Sequence, residues 1–448
     1  MNIKNLPKLH PAEIEHTQQL AKIIRQEIES TGPISFERYM TLALYHPEFG
    51  YYTSGRLKLA SHKSSQNSIQ ASTEDHLNKG ETIPSEGDEP AIGLVRSDRV
   101  AEADKRSAEA VSGDFITAPE LSPWFGRTLA LAVSDVLAHC EEKNILEFGA
   151  GSGILAKQIL DSIEDKSVKY FILELSNDLK NLQQQTLAEY KDRVIWLDTL
   201  PESFIGCVLA NELLDAMPVR LFTYDEEENL KERYVDIRGS SSMDSDNDTD
   251  EKSNPTANIF TWSDQDLEAD NLPDDIHRLV KISGYTSEFN QQAKAWVSSM
   301  GNWLQQGAAL ILDYGFPAAE YYHPQRAQGT LMCHFRHHAH SEVLALPGIQ
   351  DITAHVDFSA VAEKAVGAGL EVIGYTSQAN FLINCGMLDL LSTLDPEDIE
   401  NYALHIGPVQ KLLSEAEMGE LFKVIMLAKN VDELCPIGFT QADRRFQL

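Results

Sequence analysis

Cysteine is scarce and dispersed. The five (Cys140, Cys207, Cys333, Cys385 and Cys435) stand far apart with no Cys-x-x-Cys pair, a pattern that is neither a disulfide framework nor a zinc site and that suits a reducing compartment. Long apolar runs are missing as well: no stretch approaches the roughly 18 uncharged apolar residues of a membrane span. The opening MNIKNLPKLHPAEIEHTQQL has no apolar signal-peptide centre, and Glu13 and Glu15 precede the first arginine, Arg25, which is unlike a transit peptide. The expectation is a soluble, cytoplasmic protein. Positive charge is in short supply, with 37 Lys and Arg against 69 Asp and Glu and a net charge of -32, so nucleic acid and anionic lipid are poor default partners. Much of that excess is local: Asp225 to Asp275 holds 17 acids against 4 bases, which weakens any inference from total charge to a cationic substrate. Aromatic residues are absent from Arg56 to Ser112, a Ser-, Glu- and Lys-rich run that cannot bury enough apolar surface to order itself and reads as a disordered insertion. A second such stretch, Gly239 to Thr256, separates the β-like runs VRLFTYDEEENLKERYVDI and NIFTWS and reads as the tip of an elongated hairpin.

Between these stretches, short apolar runs alternate with helical patterns, the signature of parallel strands joined by crossover helices. Buried strands are expected at Asn144–Gly149, Lys169–Leu175, Val194–Asp198, Cys207–Glu212 and Ala309–Gly315. Helices are expected after the first two, across Glu13–Leu44, and beyond Leu390 in LDPEDIENYALHIG and SEAEMGELFKVIMLAKN. The 448 residues divide by pattern into a helical lead-in (1–55), an insertion (56–112), a first core part (113–216), a hairpin excursion with an acidic tip (217–285), a second core part with a lid (286–390) and a helical C-terminal region (391–448).

The sharpest chemical signal is EFGAGSG, Glu147 to Gly153, set between an apolar strand and an amphipathic helix. Gly149, Gly151 and Gly153, with Ala150 between them, let the backbone turn tightly and approach a ligand closely, while the first helical N–H groups can hold an anionic group. A dinucleotide fingerprint would place its third glycine where Ile154 stands, which argues against a nucleotide-dependent oxidoreductase. The loop instead resembles the cofactor loop of class I, Rossmann-like methyltransferases, E-x-G-x-G-x-G, and so implies a doubly wound α/β sheet and S-adenosyl-L-methionine. Glu174, followed by Leu175, ends the second strand where such folds place an acid for the ribose hydroxyls. Asp198, ending the third strand, is a weaker candidate for the adenine region, with a turn residue as its alternative. The fourth strand runs into Asn211, Glu212 and Asp215 in NELLDAMPV, at the strand end where open α/β sheets form their crevice. Carboxylates there suit a guanidinium or amine, although Asn211 or Asp215 could equally cap a helix. Asp313 and Tyr314 end the fifth strand and are expected to line the same cleft. His355 and Asp357 either face the substrate or serve as a core histidine and a helix N-cap. Thr117, in GDFIT, is placed where it could close over the cofactor. The histidines of HFRHHAH (His334, His337, His338, His340) lack a supporting carboxylate or cysteine spacing, so no metal site is expected and a basic lid is the preferred reading.

The chain also resembles the MidA-like methyltransferase family. The resemblance is carried by GPISFERYMTLALYHPEFGYY (Gly32 to Tyr52), GDFITAPELSPWFG (Gly113 to Gly126), EFGAGSG, NELLDAMPV, LDYG (Leu312 to Gly315), GTLMCHFRHHAH (Gly329 to His340), PGIQDITAHVDF (Pro347 to Phe358) and QANFL (Gln378 to Leu382). It implies S-adenosyl-L-methionine as methyl donor and a protein substrate. In mitochondrial members it implies symmetric dimethylation of an arginine in connection with respiratory complex I assembly, hence a matrix location if this chain is organellar. A non-catalytic assembly factor that keeps the cofactor fold is the alternative from another class.

Overall fold

The computed structural model describes residues 6–54, 117–239, 259–267 and 282–448. Its central sheet contains β1 (Asn144–Phe148), β2 (Lys169–Leu173), β3 (Val194–Leu197), β4 (Phe204–Asn211), β5 (Leu304–Phe316), β6 (Glu371–Ser377) and β7 (Phe422–Lys429), arranged in the order 3-2-1-4-5-7-6. The first five are parallel and coincide with the five runs expected as strands. They are apolar because both faces are covered. In β1, Ile145 joins the core beneath the helices Pro123–Ala138 and Ile154–Ser162, whereas its neighbour Leu146 joins the opposite core beneath Gln291–Trp303 and Phe358–Gly367. Strand order reverses between β1 and β4, so the loops leaving their carboxyl ends diverge and open a crevice there.

One expectation is corrected. In SEAEMGELFKVIMLAKN only Met418–Leu421 is helical; Phe422–Lys429 is β7, which runs antiparallel to both β5 and β6. Seven of its eight residues are buried. A short apolar run covered on both faces carries no period that separates strand from helix, and the β-branched Val424 and Ile425 were the available signal. The region beyond residue 390 therefore contributes an internal strand. Its other expected helix is present as Ile399–Leu413, capped by the Asp398 side chain.

The lead-in forms two helices, Pro11–Thr31 and Phe36–Tyr45. The excursion after β4 forms antiparallel strands Arg220–Tyr224, Leu230–Ile237 and Phe260–Asp266, and Ile237 lies opposite Phe260, as a hairpin requires. The expected hairpin tip, Gly239 to Thr256, lies outside the described residues except for Gly239, and the expected insertion at 56–112 lies wholly outside them. Phe36, Tyr39, Phe260 and Trp262 pack ring against ring to join lead-in and hairpin. Cys333 and Ile352, from a small sheet of Met332–Phe335, His338–His340 and Asp351–Thr353, share that core.

Candidate active site

Past β1 the chain turns at Gly149, Gly151 and Gly153 with φ of 66°, 53° and 82°, values that L-residues with a Cβ rarely adopt. A Cβ at Gly151 would meet nothing within 4 Å, while one at Gly149 would approach Leu213 Cδ1 at 3.1 Å. The loop thus borders open space at its centre and packs on the turn after β4 at its start. Gly153 is the N-cap of Ile154–Ser162, and Ala150 is buried behind the loop. Glu147 supports the loop from within the sheet: it is buried, accepts a hydrogen bond from the Tyr170 hydroxyl at 2.9 Å, and burial pushes its pKa up to about 7.

Glu174 stands just beyond β2. Its Oε1 accepts from the Ser176 N–H at 2.8 Å and its Oε2 from Gln183 Nε2 at 2.9 Å; burial raises its pKa. Gln183 went unread in the sequence, yet it ties three parts of the site together. Its Nε2 also reaches the Gly151 carbonyl at 3.0 Å, and its Oε1 accepts from Trp196 Nε1 at 3.0 Å. Gln183 is the one buried residue of the helix Asn177–Thr186. Leu175 is 77% exposed. Asp198 is at the surface in an ion pair with Lys180 at 2.9 Å. Thr117 leads into the single turn Ala118–Leu121, whose Glu120 accepts from the Ser152 hydroxyl; Gly113 to Ile116 lie outside the described residues. The free volume at Gly151 and an acid just beyond β2 fit S-adenosyl-L-methionine, which Gly149, Gly151, Gly153 and Glu174 would hold.

The segment after β4 is a turn in which no helix begins, so neither Asn211 nor Asp215 is a helix cap. Asp313 shapes it: one carboxylate oxygen accepts from the N–H groups of Leu213 at 3.2 Å, Leu214 at 2.9 Å and Asp215 at 3.3 Å. Being fully buried, Asp313 positions the turn and does not line the cleft, which corrects the expectation for it. Burial, then Asp215 and Glu212, push its pKa up, against the pull of the Leu214 and Asp215 amides. Glu212, at φ 51°, accepts from the Ala118 N–H at 3.4 Å and Asn211 Nδ2 at 3.2 Å. Burial and the neighbouring Asp215 raise its pKa to about 8. Asp215 is 5% exposed, and burial raises it to about 6. Its Oδ1 has no hydrogen-bond partner among the described residues, and the same holds for Asn211 Oδ1.

Tyr314 lies beside Asp215 and Thr353. The His355 ring stacks on Phe316 at 5.2 Å and meets the edge of Tyr314 at 5.0 Å; burial, then Arg326, lowers its pKa to about 4, so it is neutral near pH 7. Of its two expected roles, Asp357 has that of N-cap of Phe358–Gly367, accepting from the Ala360 N–H at 3.1 Å. In HFRHHAH, Arg336 is tied to Glu13 of the lead-in at 2.9 Å, and burial lowers the His340 pKa to about 4. Among the described residues, no three His, Cys, Asp or Glu side chains converge as a metal site would require.

Comparison with known proteins agrees with this geometry. The model of a family described as S-adenosyl-L-methionine-dependent methyltransferase matches residues 128–376. A superfamily member from Burkholderia thailandensis, crystallised bound to S-adenosyl-homocysteine, is 38% identical, covers 99% of this chain and 100% of that one, and superposes with a TM-score of 0.80. The mitochondrial protein arginine methyltransferase NDUFAF7 of Mus musculus is 26% identical over 93% of this chain and 86% of its own length; its Homo sapiens counterpart is 25% identical over 93% and 85%. No helix among the described residues is long and apolar enough to cross a membrane.

Proposed function

Because the chain belongs to the S-adenosyl-L-methionine-dependent methyltransferases, we propose that it methylates a protein arginine whose guanidinium binds at the Asn211–Asp215 turn. Its cofactor, S-adenosyl-L-methionine, supplies an electrophilic methyl group on a sulfonium. The observation that carries the arginine reading is the acid pair of half-buried Glu212 and buried Asp215, whose Oδ1 has no hydrogen-bond partner among the described residues, on a turn that touches the glycine loop through Leu213 and Gly149. Two carboxylates beside the cofactor loop match a planar, charged fork, aim one nitrogen at the methyl and accept the proton which that nitrogen sheds on methylation, so that rate comes mainly from near-attack positioning. The arginine methyltransferases among the relatives support the same substrate class. Symmetric dimethylation of a respiratory-complex subunit is the more specific form of this proposal.

Asp215→Asn and Glu212→Gln are nearly isosteric. Both are expected to retain S-adenosyl-L-methionine affinity within a few fold, and at least one to lose about 100-fold in turnover, on the order of 2.7 kcal/mol for one preorganised electrostatic contact. The measurement is labelled methyl transfer into extract lacking the enzyme, with mass spectrometry of the labelled protein. Near wild-type rates in both variants overturn the acidic-turn mechanism; a wild type that binds the cofactor yet transfers no methyl points to the assembly-factor alternative.

A further inference from the structure

The N-terminal segment reaches the acidic turn. Helix Phe36–Tyr45 ends with the Tyr45 hydroxyl donating to the Ala216 carbonyl at 3.0 Å. The chain then doubles back, with the N–H groups of Tyr51 and Tyr52 bonding to the carbonyls of Ala43 and Leu44, both at 3.0 Å. Gly50 permits this, because a Cβ there would lie 2.4 Å from the His46 nitrogen. The fold-back stacks the Tyr52 ring on Tyr45 at 5.6 Å, and the Tyr52 hydroxyl donates to Asp351 Oδ1 at 2.8 Å. Asp351 opens a short strand whose following residue, Ala354, donates its N–H to the Asp215 carbonyl at 3.0 Å. A third carboxylate and two phenol rings are thereby held beside Glu212 and Asp215. The buried Asp215 Oδ1, without a hydrogen-bond partner among the described residues, independently marks the spot.

We propose that Asp351, oriented by Tyr52, is a further substrate-binding carboxylate, and that Tyr45 and Tyr52 form an aromatic wall which makes the site select a guanidinium over an ammonium or a neutral urea. The inference rests on the arginine reading above. A guanidinium offers five N–H donors in one plane, enough to engage carboxylates on two sides while its face lies on a ring; a lysine ammonium has no such face and a citrulline side chain no charge. The influence of Asp351 on Glu212, whose proton it helps retain, is consistent with their proximity.

The test titrates the full-length protein, saturated with S-adenosyl-homocysteine, with N-acetyl-arginine methylamide and its lysine and citrulline counterparts, by calorimetry or ligand-observed NMR. Wild type should prefer the arginine probe. Asp351→Asn should weaken that probe about 10-fold, leave the citrulline probe and cofactor affinity unchanged, and be partly rescued by Asp351→Glu. Tyr52→Phe should weaken it in the same direction by less. If Asp215→Asn loses the arginine probe while Asp351→Asn binds it as wild type does, the role of Asp351 is overturned and the arginine reading stands. A wild type with no preference for arginine over citrulline overturns both. Should Asp351→Asn fail to fold, as judged by melting, an unchanged preference in Tyr52→Phe overturns the inference on its own.

Discussion

Glu212 combines a left-handed backbone with a carboxylate largely withdrawn from water, and its protonation should be visible in stability. Its folded pKa of about 8 lies above the roughly 4.3 of an unfolded glutamate, so between those values the folded chain binds the proton that the unfolded chain has released. The stabilising contribution is therefore full at acid pH and lost as pH rises through about 8. Without substrate, the melting temperature of Glu212→Gln relative to wild type should climb from pH 5 to about pH 8 and level off above it; a constant difference would mean that Glu212 is not protonated in the fold. A second expectation belongs to Gly151, where space is open but φ is 53°. Gly151→Val should fold with a modest loss, about 1–2 kcal/mol for a β-carbon in the left-handed region, and lose most S-adenosyl-L-methionine affinity, because the branched side chain fills the volume the cofactor needs. Unchanged affinity in calorimetry would remove the loop from the cofactor site.

Elements were legible where their periodicity or punctuation is one-sided. The five parallel strands are short apolar runs bounded by glycine or polar turns, and the Asp357 cap announces its helix. β7 was not legible: FKVIMLAK is apolar without a break between Lys423 and Lys429, and only its partners β5 and β6 make it a strand. Gln183 was missed for a related reason, since the run of three glutamines, Gln183 to Gln185, does not say which of them turns inward. Its amide connects the helix Asn177–Thr186 with the glycine loop, Glu174 and β3. Gln183→Leu, close in volume, should leave three polar partners unsatisfied and weaken cofactor binding about 10-fold, with turnover at saturating cofactor less affected. A variant with normal calorimetric affinity would show that the loop holds its shape without this bridge.

At the scale of the whole molecule, the net charge of -32 and the acids around the cleft act on any cationic substrate in the same direction. Association with a basic peptide should therefore slow as salt is raised from about 0.05 M to 0.5 M, a range that shortens the screening length severalfold, while dissociation changes less. Stopped-flow rates insensitive to salt would confine the role of charge to solubility. The sequence by itself determined the layering, the glycine loop and the acid after β2, because each depends on neighbours along the chain: hydrophobic period, left-handed turns, strand followed by helix. Tertiary structure alone decided what each carboxylate meets. Asp313, Asp357, Glu212 and Asp215 look alike in sequence, yet one binds three amides of a turn, one caps a helix, and two stand together on the turn after β4, with Tyr314 beside Asp215. Burial and hydrogen-bond partners come from residues up to hundreds of positions away, and no local pattern encodes them.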